Sequence, residues 1–419
     1  MISIDKLNYY SNYCLSCTNG LCKVGCPLHN DISGFIKLIK DNKYEEAYYL
    51  LCETTVLSSI CGRICPHNDQ CQSKCIRGKI GNPVNIGILE SFVGDYAIDN
   101  KISIPKINNN RDKKVLVIGS GPSSLTCAAY LARYGIRVTI YEKYNKLGGI
   151  LNHSVPNFRL DKKVLQNSIN KILELGIDVK YNMELNKDFY INDVIDKYDA
   201  IYIGIGANIS NKLSIDGEQL EGVYGGNELL EYNNHPDYTN KIVAIIGGGN
   251  VAIDVSRIVK RMGAKKVYII YRRNEEDMPA SKEEIKEAKD EGINFIFKTN
   301  ILKIIGNKKV EKIECIKTNL INKDNLIVPI NIDNSNYNLD VDYVIESIGS
   351  HSDYNIINSL GLELNNNKTI KIDSDGKTSN EKIYSGGDIA GIKSTVAFAA
   401  SSGYRSAKAI NKYLGGKNE

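Results

Sequence analysis

The pattern of apolar residues divides the chain into a leading segment and two similar strand–helix–strand units. The first unit runs from Val115–Ile118 through a helix-like stretch at residues 126–135 to Val138–Tyr141. The second starts at Val243–Ile246 and, after another helix-like stretch, reaches Val267–Tyr271. Short continuous apolar runs that alternate with helical periods are typical of strands buried in a parallel sheet. The pattern therefore predicts an α/β protein with two doubly wound domains behind the leading segment.

A glycine-rich turn follows the first strand of the first unit. Gly119 and Gly121 lie in this turn, and Ser124 stands where a third glycine is usual. Glu142 ends the second strand. Glycines at this spacing let the backbone approach a pyrophosphate at the amino end of the helix, and an acid about 20 residues later holds a ribose hydroxyl. The first unit is therefore predicted to bind FAD, and Ser124 is expected to loosen the packing of helix against strand slightly.

The second unit has the same kind of turn but the opposite charge after its second strand. Gly247 and Gly249 follow the first strand, and Arg272 with Arg273 follows the second. A pair of guanidinium groups suits the 2′-phosphate of NADP, which a carboxylate would repel. The second unit is therefore predicted to bind NADP(H). The alternative is that the two arginines are a solvated pair on the surface.

The end of the chain returns to the first unit. After the second unit closes near Gly349, the chain passes through Tyr384–Asp388 into a predicted helix that begins near Thr395. An aspartate before a helix at this place suits the ribityl and pyrophosphate side of FAD. We therefore expect the NADP domain to be inserted in the FAD domain. The predicted domains are a helical segment at 1–110, FAD-binding parts at 111–236 and 351–419, and an NAD(P)H-binding domain at 237–350.

Composition excludes several classes of protein. The chain has 419 residues, of which 42% are hydrophobic and 24% charged, with a net charge of +4. No apolar run approaches the roughly 20 residues of a membrane span, and no basic stripe suggests nucleic acid. The amino terminus has no apolar leader, so we expect a cytoplasmic protein that binds neither membranes nor nucleic acids.

The leading segment contains two runs of cysteine. The first run departs by only two residues from the bacterial ferredoxin spacing, in which the last cysteine, followed by proline, ligates the other cluster of a pair. The two runs are therefore predicted to interlock around two iron–sulfur clusters. Their members are Cys14, Cys17, Cys22 and Cys26, then Cys61, Cys65, Cys71 and Cys75.

Two other interpretations of these cysteines were weighed. Disulfides are disfavoured because thiols stay reduced in the cytosol. Two structural zinc sites are a stronger alternative, since short spacings between cysteines are also typical of zinc. The two dinucleotide folds downstream favour iron–sulfur, because electron carriers belong beside a redox cofactor and zinc need not.

With these motifs, the chain resembles one oxidoreductase family along nearly all its length. The family includes the small subunit of glutamate synthase, the NADPH-binding subunit of electron-bifurcating ferredoxin:NADP oxidoreductases, and the amino-terminal portion of dihydropyrimidine dehydrogenase. Residues 61–89 and Gly121–Ser124 look most like dihydropyrimidine dehydrogenase. Residues 271–280 look more like the glutamate synthase branch.

The resemblance implies a ligand set for each 4Fe–4S cluster. It assigns the first cluster to Cys14, Cys17, Cys22 and Cys75. It assigns the second to Cys26, Cys65, Cys71 and a carboxylate, Glu90, whose alternative role is that of a surface acid at the start of a helix. Cys61 and Cys52 are then spectators, and His29 and His67 are expected to be exposed or hydrogen-bonded rather than ligands.

The fingerprints and the resemblance together give the candidate nucleotide-binding residues. The resemblance places residues 156–159 against the flavin, Gly148 and Gly149 near its pyrophosphate, and Thr395 near the ring. For FAD the candidates are Gly119, Gly121, Pro122, Ser123, Glu142, Lys143, Gly149, Ile150, Arg159, Gly387, Asp388 and Thr395. For NADP(H) they are Gly247, Gly249, Asn250, Val251, Arg272, Arg273 and Gly349, with NAD(H) possible in place of NADP(H).

These cofactors predict an electron-transfer enzyme in which a flavin converts a two-electron hydride into single electrons for the clusters. No catalytic acid, base or nucleophile is predicted. Disulfide reductase chemistry is excluded because the two units hold only Cys127 and Cys315 between them. All domains are committed to cofactors, so we expect the acceptor to be a separate protein.

The partner is expected to be a catalytic subunit of the dihydropyrimidine dehydrogenase or glutamate synthase type. One alternative is the subunit of a bifurcating enzyme that works with a flavin partner and a ferredoxin-type acceptor. Another, from a different class, is a zinc-stapled nucleotide sensor without activity.

Overall fold

The computed structural model describes residues 2–107, 111–323, 326–392 and 395–416. The chain forms two compact units. The first contains residues 1–152, 157–207 and 352–419, and the second contains residues 153–156 and 208–351.

Short helices make up the leading part of the first unit. Side chains cap three of them: Ser3 accepts a hydrogen bond from Lys6 N at 3.4 Å, Asp31 accepts one from Gly34 N at 3.0 Å, and Asn85 accepts one from Ile88 N at 3.2 Å. Because the capped helices bracket the cysteine runs, they fix where those runs begin and end. The helices are α1 Ile4–Tyr13, α2 Leu21–Gly25, α3 Ile32–Lys40, α4 Tyr44–Leu51, α5 Ser58–Ile64 and α6 Ile86–Asp99, with 3₁₀ turns at Gln72–Lys74 and Ile76–Lys79.

The first part of the flavin-type fold follows. Its fully buried apolar strand, 115–118, is the one that the hydrophobic pattern predicts, and the helix after it is also buried. The elements are β1 Lys114–Ile118, α7 Pro122–Arg133, β2 Arg137–Glu142, α8 Ile150–His153, α9 Lys162–Leu173, β3 Asp178–Tyr181, α10 Ile191–Val194 and β4 Ala200–Ile203.

The second unit contains the elements β5 Ile209–Ser210, β6 Val223–Gly225, α11 Gly226–Tyr232, β7 Ile242–Ile246, α12 Asn250–Arg261, β8 Lys266–Ile270, α13 Lys282–Asp290, β9 Asn294–Ile296, β10 Thr299–Ile305, β11 Lys312–Lys323, β12 Leu326–Asn331, β13 Tyr337–Asp340, β14 Tyr343–Glu346 and β15 Ser350–His351. It has its own parallel sheet, with strand order β6-β14-β7-β8-β9, and an antiparallel sheet of β10–β13.

The chain then returns to the first unit through α14 Tyr354–Ser359, β16 Ile383–Ser385 and α15 Val396–Tyr413. β16 pairs in parallel with β4, which gives the strand order β16-β4-β1-β2-β3. The two parallel sheets, the helical leading segment and the inserted unit confirm the predicted fold class.

The limits of the units differ from the predicted domains. Residues 208–236 belong to the second unit rather than to the flavin part, because β6 pairs with β14 of the second sheet. The helical segment and the flavin part form one unit. The predicted boundary at residue 110 and the loop expected at 108–110 lie outside the described residues.

Buried donors join the leading helices to the flavin fold. Arg133 on α7 donates to Cys52 O, the carbonyl that follows α4, and Tyr130 Oη donates to the same oxygen at 3.0 Å. Lys171 on α9, which is also buried, donates to Ile102 O at 2.6 Å. Cations at the carboxyl end of a helix satisfy its free carbonyls and its dipole. These contacts hold the cysteine region in a fixed place on the flavin fold.

Candidate functional site

The turn after β1 forms an open cradle at the amino end of α7. Gly119 has φ +90°, and a Cβ there would lie 2.7 Å from Gly204 O. Gly121 is the N-cap of α7, and a Cβ on it would meet nothing within 4 Å. Pro122 starts the helix, where its missing N–H costs nothing. The backbone is therefore bare at the point where a helix amino end attracts a phosphate.

Glu142 is fixed at the end of β2 by groups that the sequence did not point to. Its Oε2 accepts a hydrogen bond from Ser120 Oγ at 2.5 Å, and its Oε1 accepts one from Tyr144 N at 2.9 Å. Ser120 Oγ also accepts from Gly148 N at 3.0 Å, so one hydroxyl links the first glycine turn to the second. Burial raises the pKa of Glu142 against these hydrogen bonds. The carboxylate is placed to accept from a ribose hydroxyl.

Ser124 does not loosen the fold as expected. Its hydroxyl donates to Gly204 O at 3.2 Å, and the side chain is fully buried. A Cβ on Gly204 would lie 2.2 Å from Ser124 Oγ. Close packing here needs one small residue, and Gly204 at the end of β4 takes that role in place of a glycine at position 124 on α7. The prediction of looser packing is therefore wrong.

The return segment meets α7 through a network of hydroxyl groups. Gly387 N donates to Ser402 Oγ at 3.0 Å, and Ser402 is 3.0 Å from Ser123 Oγ. Ser123 is also hydrogen-bonded to Tyr202 on β4. The Ser123 side chain, predicted to bind FAD, therefore faces the protein interior and positions the Gly387 loop. Asp388 follows at the start of a 3₁₀ turn.

The second unit repeats the glycine cradle. Gly247 has φ +145°, and a Cβ there would lie 2.2 Å from Ser347 O. Gly249 is the N-cap of α12, and its Cβ would meet nothing closer than Pro279 at 3.9 Å. Asn250 opens the helix and accepts a hydrogen bond from Ser281 N at 3.4 Å. This cradle is as open as the first.

The two arginines stand next to this cradle at the carboxyl edge of the sheet. β7 and β8 are parallel with Ile246 beside Ile270, so the turn after β7 and the arginines after β8 leave the sheet at the same edge. Arg272 is exposed, and the buried Nε of Arg273 has no hydrogen-bond acceptor. Neither side chain forms an ion pair within the described residues. An orphaned buried donor fits an absent anion, which is the group that the 2′-phosphate would supply.

The other predicted nucleotide-binding residues take several environments. Gly149 has φ +52° and a Cβ there would lie 2.9 Å from Gly121 Cα, so the two glycine turns touch. Ile150 is exposed at the start of α8. Gly349 has φ +108°, with its carbonyl accepting from Asn211 N at 2.9 Å. The remaining three, Lys143, Arg159 and Val251, are half-buried.

The first cysteine group lies near the surface. Cys14, Cys17, Cys22 and Cys75 line one small cavity and are half-buried. Burial and then the neighbouring Cys14 and Cys75 raise the pKa of Cys22 to about 11. Burial raises the pKa of Cys14, and the nearby Lys40, which donates to Cys14 O at 2.7 Å, opposes that rise. These are thiols whose anions repel one another, an arrangement that bound iron would stabilise. We refer to them as the outer group.

The second group is mostly buried and has five candidate donors for four positions. Burial, with smaller contributions from the nearby Glu90 and Cys61, raises the pKa of Cys26 to about 12. Cys65 is hydrogen-bonded to Cys61, so the predicted spectator is among the ligand candidates. Glu90 is 5% exposed, and burial raises its pKa to about 8. It is therefore not a surface acid. This inner group consists of Cys26, Cys61, Cys65, Cys71 and Glu90.

Polar side chains surround the inner group. Asn30 Nδ2 donates to Glu90 Oε1 at 3.3 Å, and Thr54 Oγ1 donates to Asn30 Oδ1 at 2.6 Å. His67 is hydrogen-bonded, as predicted, with Nδ1 3.5 Å from Cys71 Sγ and Nε2 3.2 Å from Gly62 O. Partners of this kind orient metal ligands. Asn30 gave no signal in the sequence beyond following a cysteine run.

One hydrogen bond links the inner group to the flavin fold. Gln70, which is buried between Cys65 and Cys71, donates from Nε2 to Thr395 Oγ1 at 3.2 Å. Thr395 is the N-cap of α15 and accepts from Phe398 N at 3.4 Å. The residue expected near the flavin ring is therefore in direct contact with the inner cysteine loop, and the outer group is not part of this contact.

Comparison with known families identifies the fold. Residues 113–405 match the pyridine nucleotide-disulphide oxidoreductase family, which is more than half of the chain. The chain belongs to this family. Residues 5–102 of this oxidoreductase match a second family, dihydropyrimidine dehydrogenase domain II, 4Fe-4S cluster. Cys127 of this oxidoreductase is buried in α7 and Cys315 in β11, and all eleven cysteines are unpaired thiols.

Relatives extend the match over nearly the whole oxidoreductase chain. It is 31% identical to the glutamate synthase (NADPH) small chain of Halomonas elongata, over 96% of this chain and 89% of the relative. It is 31% identical to the NADP(+)-dependent formate dehydrogenase subunit beta of Moorella thermoacetica, over 94% of this chain and 60% of the relative. FprA of Mycobacterium tuberculosis in complex with NADPH has a similar fold, with a TM-score of 0.66 at 19% identity, over 73% of this chain and 85% of that one.

The family matches confirm the resemblance, the enzyme class and the cofactors of this oxidoreductase: FAD, NADP(H) and 4Fe–4S. The 4Fe–4S match favours iron–sulfur over the zinc alternative for the leading segment. Both glycine cradles, the free Arg273 Nε and the two thiol groups fit these cofactors. In the described part of the chain, no helix is long and apolar enough to span a bilayer.

Proposed function

We propose that this chain is an electron-input subunit that oxidises NAD(P)H and delivers single electrons to a separate catalytic partner of the glutamate synthase or dihydropyrimidine dehydrogenase type. When bound, the flavin accepts a hydride and releases electrons one at a time, and 4Fe–4S clusters carry single electrons. The observation that supports the proposal best is the contact of Gln70 with Thr395. It puts the cysteine region against the amino end of α15, which this proposal assigns to the flavin site.

The residues of the chain have separate tasks in this proposal. Arg272 and Arg273 hold the nucleotide by its phosphate, and the bare amino end of α7 holds the pyrophosphate of FAD. The hydroxyl network of Ser123 and Ser402 keeps the Gly387 loop in place. The inner group is mostly buried, with Cys65 half-buried, whereas all four cysteines of the outer group are half-buried. Relatives named as small or beta subunits support the role of a subunit.

The proposal is tested with the purified, cofactor-loaded chain. NADPH is expected to reduce the flavin and to support turnover of an artificial one-electron dye. Uracil, and 2-oxoglutarate with glutamine, are expected to give no turnover because no domain is left for them. Activity on one of these substrates is expected only after the matching catalytic subunit is added. The measurement is steady-state NADPH oxidation with each substrate, with and without that subunit.

Two results would contradict the proposal. Turnover of uracil or 2-oxoglutarate by the chain alone would show a substrate site in this chain. Failure of NADPH and NADH to reduce the flavin of the loaded protein would remove the electron-input role itself. The separate catalytic subunit incubated without this chain is the control for contaminating activity.

A further inference from the structure

Exposed apolar side chains lie on the segments that carry the outer group. Leu15, Leu21 and Ile76 line the same small cavity as the four cysteines of that group. Val24 on α2 is 68% exposed and Ile80, just after the second 3₁₀ turn, is 79% exposed. Scattered exposed apolar residues are normal, whereas several around one site mark a contact surface. We call Leu15, Leu21, Val24, Ile76 and Ile80 the apolar patch.

The segments that carry the apolar patch are cationic. Residues 13–30 and 70–85 contain Lys23, Lys74, Arg77 and Lys79 and neither aspartate nor glutamate. Arg77 is held in place, with its guanidinium 4.4 Å from the ring centre of Tyr13 and its Nε donating to Tyr13 O at 2.9 Å.

The three lysines are free to meet a partner. All three are exposed. Within the described residues none of them is in an ion pair, whereas lysines elsewhere, such as Lys43 and Lys286, pair with neighbouring acids. We call these lysines and Arg77 the cationic rim. Because the three lysines form no ion pair among the described residues, this surface carries a net positive charge.

We infer that the apolar patch and the cationic rim form a docking surface for a redox protein with an acidic face, which receives electrons from the outer group. The inference rests on the proposed function, since it names the chemistry of the partner at the end of that electron path. Charge complementarity selects an acidic partner and speeds the encounter. A small apolar centre inside a charged rim is typical of the interfaces of transient partners rather than of obligate ones.

The reaction across this surface balances without any other reactant. Oxidation of one NADPH yields NADP⁺, one proton and two electrons. Each encounter moves one electron from the chain to the partner, so two partner molecules are reduced for each NADPH. No bond forms between the proteins.

The test uses the cofactor-loaded chain and two soluble one-electron acceptors, an acidic 2Fe–2S ferredoxin and a basic c-type cytochrome. The variant is Lys23→Glu/Lys74→Glu/Lys79→Glu, which reverses the charge of the rim at exposed positions that are not candidate cluster ligands. The matched control, Lys265→Glu/Lys266→Glu/Lys308→Glu, makes the same change of charge at exposed residues of the second unit.

For the ferredoxin, the rim variant is expected to lose at least tenfold in kcat/KM at low salt, and the control is expected to lose little. The difference should shrink at high salt, because the screening length falls to about 3 Å at 1 M. The cytochrome should show the reverse order, with the rim variant faster than the wild type. In all three proteins, NADPH should reduce the flavin at the same rate.

The outcomes separate this inference from the proposed function. If NADPH reduces the flavin but transfer to ferredoxin is equal in the rim variant and the control, the docking surface is wrong and the electron-input role stands. If the rim variant is slower than the wild type with the basic cytochrome as well as with the acidic ferredoxin at low salt, the charge of the partner is wrong. If NADPH fails to reduce the flavin of the wild type, the proposed function itself fails.

A second variant tests the apolar centre. Val24→Asn/Ile80→Asn changes two exposed side chains and removes no buried contact, so the fold should be retained. It is expected to raise KM for ferredoxin several-fold at both low and high salt, since burial of apolar area does not depend on screening. An unchanged KM would show that the patch is not covered by the partner.

Discussion

At the scale of single residues, either of two side chains in the inner group, Cys61 or Glu90, could be the fourth ligand of its cluster. Cys61 and Glu90 both lie beside Cys26 and Cys65. A carboxylate is a hard oxygen donor, which makes it an unusual ligand for soft iron–sulfur sites. Burial of Glu90 raises its pKa to about 8, because the charged carboxylate is unfavourable away from water. Coordination to iron would stabilise the charged form.

Replacement of Glu90 is therefore expected to expose its role. Glu90→Ala should leave one cluster labile, with a changed EPR spectrum, whereas Cys61→Ser should keep the full iron content. Cys52→Ser, at a buried cysteine beside Arg133, is the matched control and should also keep it. Iron analysis and EPR of the dithionite-reduced proteins are the measurements. Loss of iron from Cys61→Ser together with normal iron content in Glu90→Ala would show that Cys61, and not Glu90, is the fourth ligand.

We expect Arg272 and Arg273 to determine which nucleotide is preferred. If both contact the 2′-phosphate, each charge-assisted hydrogen bond contributes roughly 1.5–3 kcal/mol. Arg272→Ala/Arg273→Ala is then expected to weaken NADPH at least tenfold, since about 1.4 kcal/mol is one decade, and to leave NADH nearly unaffected. Dissociation constants from fluorescence titration of both nucleotides test this.

A control for this variant lies at the carboxyl end of α12. Arg261→Ala removes a half-exposed arginine that pairs with Glu291 and should change neither affinity. Equal losses of affinity for NADPH and NADH in the double variant, or a wild-type preference for NADH, would contradict the assignment of the two arginines to the 2′-phosphate.

At the scale of elements, the amino end of α7 requires a residue without a side chain at Gly121. Gly121 has φ −67°, which any residue can adopt, and its Cβ would enter open space. Gly121→Ala should therefore leave the stability of the flavin-free protein unchanged and weaken FAD at least tenfold, because the methyl group occupies the place of the pyrophosphate. Gly81→Ala, at another exposed glycine, is the control. Unchanged FAD affinity would place the pyrophosphate elsewhere.

Elements with local signals were predictable from the sequence, and those that depend on distant partners were not. The strand, turn and helix from Lys114 to Arg133 follow from a local apolar run and its glycines. The compensation of Ser124 by Gly204 involves residues 80 positions apart, which local spacing cannot show. The position of Cys61 inside the inner group has the same cause: it depends on how α5 packs against α6, where Glu90 lies.

At the scale of the whole molecule, each unit has a five-stranded parallel sheet, but the last strand of each sheet comes from a different part of the chain. In the second unit this strand is β14, which lies within residues 208–351. The sheet of the first unit needs β16, which comes after the entire second unit. The limits of the insertion were predicted only approximately, because β6 carries little local signal and its place is set by pairing with β14.

The position of β16 has a consequence for the order of events on the ribosome. Between synthesis of β4 and synthesis of β16 the whole inserted unit must be made, which at about 5–20 residues per second takes on the order of 10–40 s. During that time β4 is an uncovered edge, and the Gly387 loop does not yet exist. The inserted unit can complete its own sheet in this interval, whereas flavin can be retained only after it. Slow codons or unstable substitutions in the inserted unit should therefore lower the flavin content of the finished protein.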